Sequence, residues 1–263
     1  MNELKLGKLP AEIDKRTIRL SSILQKELPP VPISFDAEAA LCAKYPGLRF
    51  PGRIWRNDQL GDCVIAGRAN QTRIFEAFEQ SGKLVTINDE DVVYEYYKES
   101  YGLDTGLVML RSLNAWRNGW QIDRKGRCKY FSKGTPYSIY AFAAIDSIAE
   151  LIQAIYYLRG GYIGFRVPQY ALDQFSASKP WDINPAGDQT VKGGHCIQFP
   201  AYTDNGNVLS CWTWGKRQIM TRAFFEKWVD EAYAIVDNKN AFTVNSPVDV
   251  TALDTILKEI AAS

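Results

Sequence analysis

We predict an α+β protein from this sequence, because helical and strand patterns concentrate in different parts of the chain. Apolar side chains recur at helical spacing between residues 63 and 158, whereas residues 195–214 form two β-runs around Asn205-Gly206, a dipeptide typical of tight hairpins. Helical patterns that lie mostly before the two β-runs favour an α+β arrangement.

The predicted helices have recognisable first and last residues. One runs from Cys63 to about Gln80 and puts the cysteine in its first turn. Another begins after Asn88, which reads as an N-cap followed by an acidic first turn. Ser147 and Glu150 form a capping box at the start of a third helix. The helix that Ser147 caps ends at residue 158. The remaining helices are predicted over residues 106–118, 221–236 and 251–261.

Strands, loops and two terminal segments make up the rest of the chain. A strand is predicted over residues 162–167, a polar loop over 169–192, and a type I′ turn at Asn205-Gly206. Prolines punctuate the first fifty residues, which indicates an irregular arm laid over the body. We predict an N-terminal arm over residues 1–50, a main domain over 51–240, and a C-terminal tail and helix over 241–263.

Composition argues against several classes of function. The net charge is +1 at pH 7, from 31 basic and 30 acidic residues, which does not suit a nucleic-acid groove or a polybasic membrane patch. No apolar run is long enough to span a membrane and no secretory leader is evident, so we expect a cytoplasmic protein. The five cysteines lack metal-ligand spacing, and we expect no disulfides, no metal and no cofactor.

Two residues carry the chemistry that we predict. Cys63 lies in the first turn of a predicted helix, where unpaired N–H groups and the helix dipole favour a thiolate. His195 is the single histidine of the chain and follows roughly 130 residues later, a separation typical of papain-type thiol hydrolases. Cys196 should point to the opposite face of its strand from His195. The other cysteines are expected to be packing residues: Cys42, Cys128 and Cys211.

Several segments, taken in order, resemble the papain-like cysteine peptidase superfamily. Asn57-Asp58-Gln59-Leu60-Gly61-Asp62-Cys63 is similar to its Gln-Gly-x-Cys-Gly-Ser-Cys nucleophile segment. Gly193-Gly194-His195 and Trp212-Thr213-Trp214-Gly215 are similar to its histidine strand and its Asn-Ser-Trp-Gly strand. The resemblance covers residues 50–216 and implies a papain-like two-lobed fold, with a site in the cleft between a helical and a β-rich lobe.

The resemblance also implies roles for residues near the nucleophile. Cys63 would be the nucleophile and His195 its base, later the acid for the leaving group. Asn57 stands where the superfamily has the glutamine that donates to the oxyanion, and Gln59 is the alternative donor. Asp62 departs from the pattern, because a carboxylate beside the thiol raises its pKa unless it points away, for example to cap the helix.

The residue that orients the histidine is the second departure. Trp212 stands at the position of the superfamily's asparagine, and an indole N–H cannot accept the imidazole proton. The orienting residue is then Thr213 or Ser210, or there is none. Trp212 and Trp214 are both expected to be core or cleft-wall aromatics, and the resemblance implies that one of the two shelters the imidazole.

Two hypotheses follow. The first is a thiol hydrolase that cleaves peptide, isopeptide or other amide bonds with Cys63 and His195, and its partner is a peptide or protein substrate. The second is a catalytically silent papain-fold protein that binds phage or bacterial proteins and is packaged in a virion. It is suggested by a resemblance to bacterial and bacteriophage papain-like proteins, which share the motifs Asn-Asp-x-x-Gly-Asp-Cys, Gly-Gly-His and Trp-Gly. The segment before Cys63 is too short for a separate inhibitory domain, so we expect no activation by its removal.

Overall fold

A seven-stranded antiparallel sheet is the centre of the structure, a computed structural model that describes residues 4–119, 137–237 and 246–262. The strands are β1 Phe35–Asp36, β2 Ala141–Ala144, β3 Gly161–Pro168, β4 Val191–Thr203, β5 Val208–Thr213, β6 Lys216–Thr221 and β7 Val229–Val236. Their order is β2-β7-β3-β4-β5-β6, and β1 pairs with the far end of β4. The predicted α+β class is confirmed.

Helices lie along both faces of this sheet. They are α1 Ala37–Lys44, α2 Cys63–Glu79, α3 Asp89–Glu99, α4 Met109–Arg117, α5 Ile148–Leu158, α6 Gln169–Ser176, α7 Arg222–Trp228 and α8 Val250–Ala262. The longest of those described, α2, packs on β4. None of the helices in the described part of the chain is long and apolar enough to cross a membrane.

Local capping explains why several helices begin where the sequence predicts. At the start of α3, the carboxylate of Asp91 accepts the backbone N–H of Asn88 at 3.0 Å. At the start of α5, the Ser147 hydroxyl accepts the backbone N–H of Glu150 at 3.2 Å. Such caps satisfy N–H groups that have no partner within the helix. The predicted start of α2 at Cys63 is confirmed as well.

The predicted helix over residues 221–236 is wrong beyond Trp228, where α7 ends and β7 begins. This strand lies between β2 and β3 and pairs with both, so its backbone groups are satisfied by neighbouring strands. The last six residues of β7 are all buried, which suits a central strand better than a helix with one solvent-facing side. As a consequence, Asp230 and Glu231 lie near the start of a central strand.

Three further boundaries differ from the sequence predictions. The predicted loop over 169–192 contains α6. Helix α4 begins at Met109 rather than at 106, because Gly106 has a φ of +81° and Leu107 pairs with the N-terminal segment instead. The turn between β4 and β5 is longer than a two-residue type I′ turn, since Asp204, Asn205 and Gly206 all have positive φ.

The N-terminal residues are more ordered than the predicted irregular arm. The carboxylate of Asp36 caps α1 by accepting the backbone N–H groups of Glu38 at 2.9 Å and Ala39 at 3.0 Å. The side chain of Leu20 is fully buried in the core beneath the sheet, as is Leu253 of α8. Both terminal regions therefore pack into the main body.

The two faces of the sheet bury different clusters of side chains. One face packs against α2 and α4 and includes Tyr162 and Cys196. The other face packs against α5, α6 and α7 and includes Ile163, Phe165 and Ile197. Residues alternate between these faces along each strand, so the position of a residue on β4 decides which cluster it joins.

Candidate active site

The structure places Cys63 at the first position of α2, with its thiol against β4. Only 1% of the residue is exposed, and the backbone N–H groups of Cys196 and Gly7 face the sulfur. Burial raises the pKa of the thiol to about 12, which outweighs the lowering effect of these two N–H groups. In this conformation the thiol is neutral at physiological pH.

His195 lies on β4 directly before Cys196, the residue whose backbone N–H faces the thiol. Its Nε2 lies 2.7 Å from the Thr213 hydroxyl, and its ring stacks on Trp214 with centroids 4.1 Å apart and planes inclined by 12°. The edge of Phe165 completes its surroundings. Burial lowers the pKa of the imidazole to about 3, so the ring is neutral as well.

Within the described part of the chain, the second ring nitrogen of His195 has no hydrogen-bond partner. Nδ1 is buried, and among the residues that the structure describes no polar atom, including the Cys63 sulfur, forms a hydrogen bond with it. A buried nitrogen without a partner costs roughly 1–3 kcal/mol, and such atoms are uncommon in folded proteins. The imidazole is therefore held by one nitrogen and left with the other available.

The Cys196 side chain lies on the opposite face of β4 from His195. Its sulfur is 3.4 Å from where a Cβ on Gly67 of α2 would stand, and it joins the cluster that contains Cys63. Cys211 is buried and Cys42 is half-buried. Cys128 lies outside the described residues.

The side-chain amides of Asn57 and Gln59, the two predicted oxyanion donors, make their observed contacts away from the thiol. The amide of Asn57 is buried and donates to the Leu60 carbonyl at 3.1 Å, within its own loop. Gln59 is exposed, and its side-chain oxygen accepts from Arg56 at 3.4 Å. The geometry gives Asn57 the role of holding the loop before α2, because its N–H group satisfies a carbonyl that precedes the helix.

Trp212 is on the wrong face of β5 to orient the imidazole. Its indole N–H donates to the two carboxylate oxygens of Glu38, at 2.7 and 2.9 Å, on the side away from His195. Because side chains alternate along a strand, Thr213 and not Trp212 faces the ring. Ser210, the other alternative, accepts from Arg217 at 3.0 Å.

Asp62 occupies the N-cap position of α2 without acting as a cap. Its side chain accepts no capping hydrogen bond, and both carboxylate oxygens are buried without a hydrogen-bond partner among the described residues. Burial raises the pKa of this carboxyl to about 8, and the charges of Asp104 and Asp58 add to the shift. The group is mostly protonated at pH 7, so it adds less negative charge beside the thiol than its sequence position suggests.

Sequence reasoning missed the segment that covers the thiol. Residues 4–9, here called the covering segment, run between the loop before α2 and strand β4. The Lys8 N–H donates to the Gly194 carbonyl at 3.0 Å, and the Trp214 indole donates to the Lys5 carbonyl at 3.2 Å. The signal that could have revealed it is the glycines that come together here: Gly7, Gly61, Gly106, Gly193 and Gly194.

Within the described ranges, no three His, Cys, Asp or Glu side chains are grouped as a metal site requires. His195 is held by Thr213 and aromatic rings, and Cys63 contacts backbone N–H groups. The arrangement therefore supplies a thiol, an imidazole and backbone donors for chemistry.

Comparisons with known proteins agree with this arrangement at the level of fold. No model of a protein family matches the sequence, and neither does any functionally curated protein. Among solved structures, the chain is similar to xylellain, a cysteine protease from Xylella fastidiosa, with a TM-score of 0.64 and 15% identity over 91% of this chain and 99% of that one.

Two further solved structures show the same likeness. A procathepsin B from Trypanosoma congolense has a TM-score of 0.56 and 11% identity, covering 89% of this chain and 87% of that one. The Carica candamarcensis cysteine protease CMS1MS2, in complex with E-64, has a TM-score of 0.53 and 14% identity, covering 80% of this chain and all of that one. The structural neighbours are cysteine proteases, and this chain has the papain-like fold that its sequence motifs predict.

Proposed function

We propose that this protein is a papain-like thiol hydrolase that cleaves peptide, isopeptide or other amide bonds with Cys63 and His195. The observation that carries the proposal is the state of the His195 ring. Its Nε2 is anchored by Thr213, and its Nδ1 has no hydrogen-bond partner among the described residues. The backbone N–H of the next residue, Cys196, faces the Cys63 sulfur. An imidazole held in this way can accept a proton through Nδ1.

The proposed mechanism uses these groups in sequence. The Cys63 sulfur and Nδ1 of His195, which form no hydrogen bond in this structure, must first approach each other. Nδ1 then accepts the thiol proton, and the imidazolium is stabilised by donation from Nε2 to the Thr213 hydroxyl. The thiolate attacks the substrate carbonyl, and the imidazolium then protonates the leaving amine as the C–N bond breaks. Water, deprotonated by the same imidazole, hydrolyses the thioester and restores the thiol.

The backbone N–H of Cys63 is the proposed donor to the oxyanion. As the first N–H of α2 it has no partner within the helix, and the helix dipole favours negative charge at this end. One such donor contributes about 3 kcal/mol to related reactions. Asn57 remains a candidate second donor, which requires its amide to leave the Leu60 carbonyl.

Covalent labelling tests this function. E-64, the compound bound to the Carica protease, should modify Cys63 and no other cysteine when the adduct is mapped by mass spectrometry. His195→Ala should abolish the modification, because it removes the proposed base. Cys42→Ser, which removes a half-buried thiol elsewhere, should leave it unchanged. Equal labelling of Cys63 with and without His195 would contradict the proposal.

A catalytically silent papain-fold protein is the second candidate. The observations that favour it are the 1% exposure of Cys63, its pKa of about 12, and the absence of a hydrogen bond between its sulfur and His195 within the described residues. In that case the protein binds partner proteins, as a component of a phage particle would. Failure of E-64 to label Cys63 even in a variant with the covering segment released would favour this candidate.

A further inference from the structure

The covering segment crosses the thiol as an extended backbone held from two sides. On one side, Leu107 donates to the Gly7 carbonyl at 2.7 Å and accepts from the Leu9 N–H at 2.9 Å. On the other side, the Lys8 N–H donates to the Gly194 carbonyl at 3.0 Å. These are the hydrogen bonds of a peptide added as a strand, and they depend on backbone rather than on side chains.

Glycines make room for this backbone. A Cβ on Gly7 would stand 1.7 Å from the Gly61 carbonyl oxygen, and one on Gly194 would stand 2.3 Å from the Lys8 carbonyl oxygen. A Cβ on Gly106 would meet the Gly7 carbonyl oxygen at 2.3 Å. The slot is therefore shaped to the width of a peptide backbone.

Lys8 inserts its side chain into a pocket on the sheet. Glu231 of β7, Gly164 of β3 and Cys196 of β4 are register partners and stand in a row on one face. The Lys8 stem lies over Gly164, where an added Cβ would stand 2.3 Å from Cε, and Met109 closes the other side at 2.5 Å. Gly164 has no positive φ, so the lysine stem and not the backbone conformation requires a glycine here.

The pocket is built for a cation. The Lys8 ammonium lies 2.8 Å from Asp230 and 3.0 Å from Glu231, and the residue is 4% exposed. Tyr233 holds the second oxygen of Glu231 at 3.0 Å. Burial lowers the pKa of the lysine, but the two carboxylates outweigh it and the net shift is upward. Because two carboxylates line it, the pocket favours a positively charged side chain over a neutral or acidic one.

We propose that this pocket is a substrate subsite for a lysine side chain, that Glu231 and Asp230 determine its specificity, and that Lys8 occupies it as an internal stand-in for the substrate. That the bound peptide is a substrate rests on the proposed hydrolase function. The peptide-binding property stands on the slot and pocket alone. A substrate with its lysine in this pocket lies with its backbone beside the Cys63 sulfur, where Gly7 lies in this structure.

Peptide binding to the full chain tests the proposal. The protein carries Lys8→Ala to empty the pocket and Cys63→Ser to prevent turnover. Fluorescein-labelled peptides with the sequence Leu-Gly-X-Leu, where X is lysine, norleucine or glutamate, are titrated and followed by fluorescence anisotropy. The lysine peptide should bind at least tenfold more tightly than the norleucine peptide, which keeps the stem without the charge, and the glutamate peptide should bind most weakly.

Pocket variants assign the preference to its residues. Adding Glu231→Gln and Asp230→Asn should reduce the lysine preference to less than threefold, whereas Glu226→Gln, at an exposed position, should preserve it. Equal binding of lysine and norleucine peptides, binding of neither, or a preference that survives in the pocket variant would overturn the proposal. The peptide series on the unaltered pocket decides the matter if the pocket variant does not fold.

The two proposals fail separately. Lysine-selective binding without E-64 labelling of Cys63 retains the subsite as a peptide-binding pocket and rejects the hydrolase. E-64 labelling without lysine selectivity retains the hydrolase and rejects the subsite.

Discussion

Replacing Lys8 by Met should release the covering segment from Cys63, because methionine keeps much of the stem and loses the charge. The side chain of Lys8 is 1% exposed, that of Glu231 5% and that of Asp230 23%, so the ion pair is mostly buried. Removing one partner of a buried pair costs roughly 3–5 kcal/mol. Since Asp230 is partly hydrated, we take the lower value, about 3 kcal/mol, which raises the population of the released state about a hundredfold.

Alkylation of Cys63 by iodoacetamide measures that population. When the segment opens and closes faster than the thiol reacts, the rate follows the open fraction, so Lys8→Met should alkylate about a hundredfold faster. Lys5→Met changes the charge of the same segment at an exposed position and should alter the rate less than twofold. Peptide mapping separates Cys63 from the other cysteines.

Alkylation of Cys63 at the same rate in Lys8→Met and Lys5→Met would contradict this expectation. That result would mean that the backbone hydrogen bonds to Gly194 and Leu107 hold the segment without the ion pair. The loss of about 3 kcal/mol also counts against the unfolded chain, so the melting temperature should fall by about 6–12 °C. Faster alkylation of the buried Cys211 alongside Cys63 would instead indicate general unfolding.

Three further predictions use the same site. Thr213→Val removes the acceptor of the imidazole, worth about 1 kcal/mol, and should slow E-64 labelling about fivefold, whereas Thr213→Ser should restore it. Gly7→Ala sets a Cβ 1.7 Å from the Gly61 carbonyl oxygen and should speed alkylation of Cys63 at unchanged secondary structure by circular dichroism. The raised pKa of Asp62, about 8, stabilises the fold below pH 4, and this stability is lost as pH rises to 8. Asp62→Asn should reduce this pH dependence of the melting temperature, as measured by calorimetry.

Local signals explain which elements could be predicted from sequence. The capping residues Asn88 and Ser147 and the first turn at Cys63 act within a few positions, so the starts of α3, α5 and α2 were predicted correctly. β7 could not be predicted in this way, because its neighbours β2 and β3 determine its backbone pairing. The acidic residues at its start were therefore expected on a helix.

The site shows the same division. The order of Cys63 and His195 is readable from the sequence, and strand alternation makes Thr213, not Trp212, the residue that faces the ring. The role of Asn57 depends on the path of its loop, which no spacing rule gives. The covering segment is the largest omission: the first fifty residues are predicted as an irregular arm over the body, and no sequence signal places residues 4–9 across the thiol.

Whether the covering segment lies over the site affects the pKa of Cys63. In the covered state burial raises the pKa of Cys63 to about 12 and lowers that of His195 to about 3, so transferring the proton between them is strongly unfavourable. Both shifts arise from burial, and release of the segment exposes the thiol to solvent or to a substrate carbonyl, which weakens the cause of the shift at Cys63. On the proposed function, a lysine-bearing substrate competes with Lys8 for the carboxylates of Asp230 and Glu231. Binding of that substrate then removes the Gly7 N–H from the sulfur in the same event, so the pocket selects the substrate and uncovers the nucleophile together.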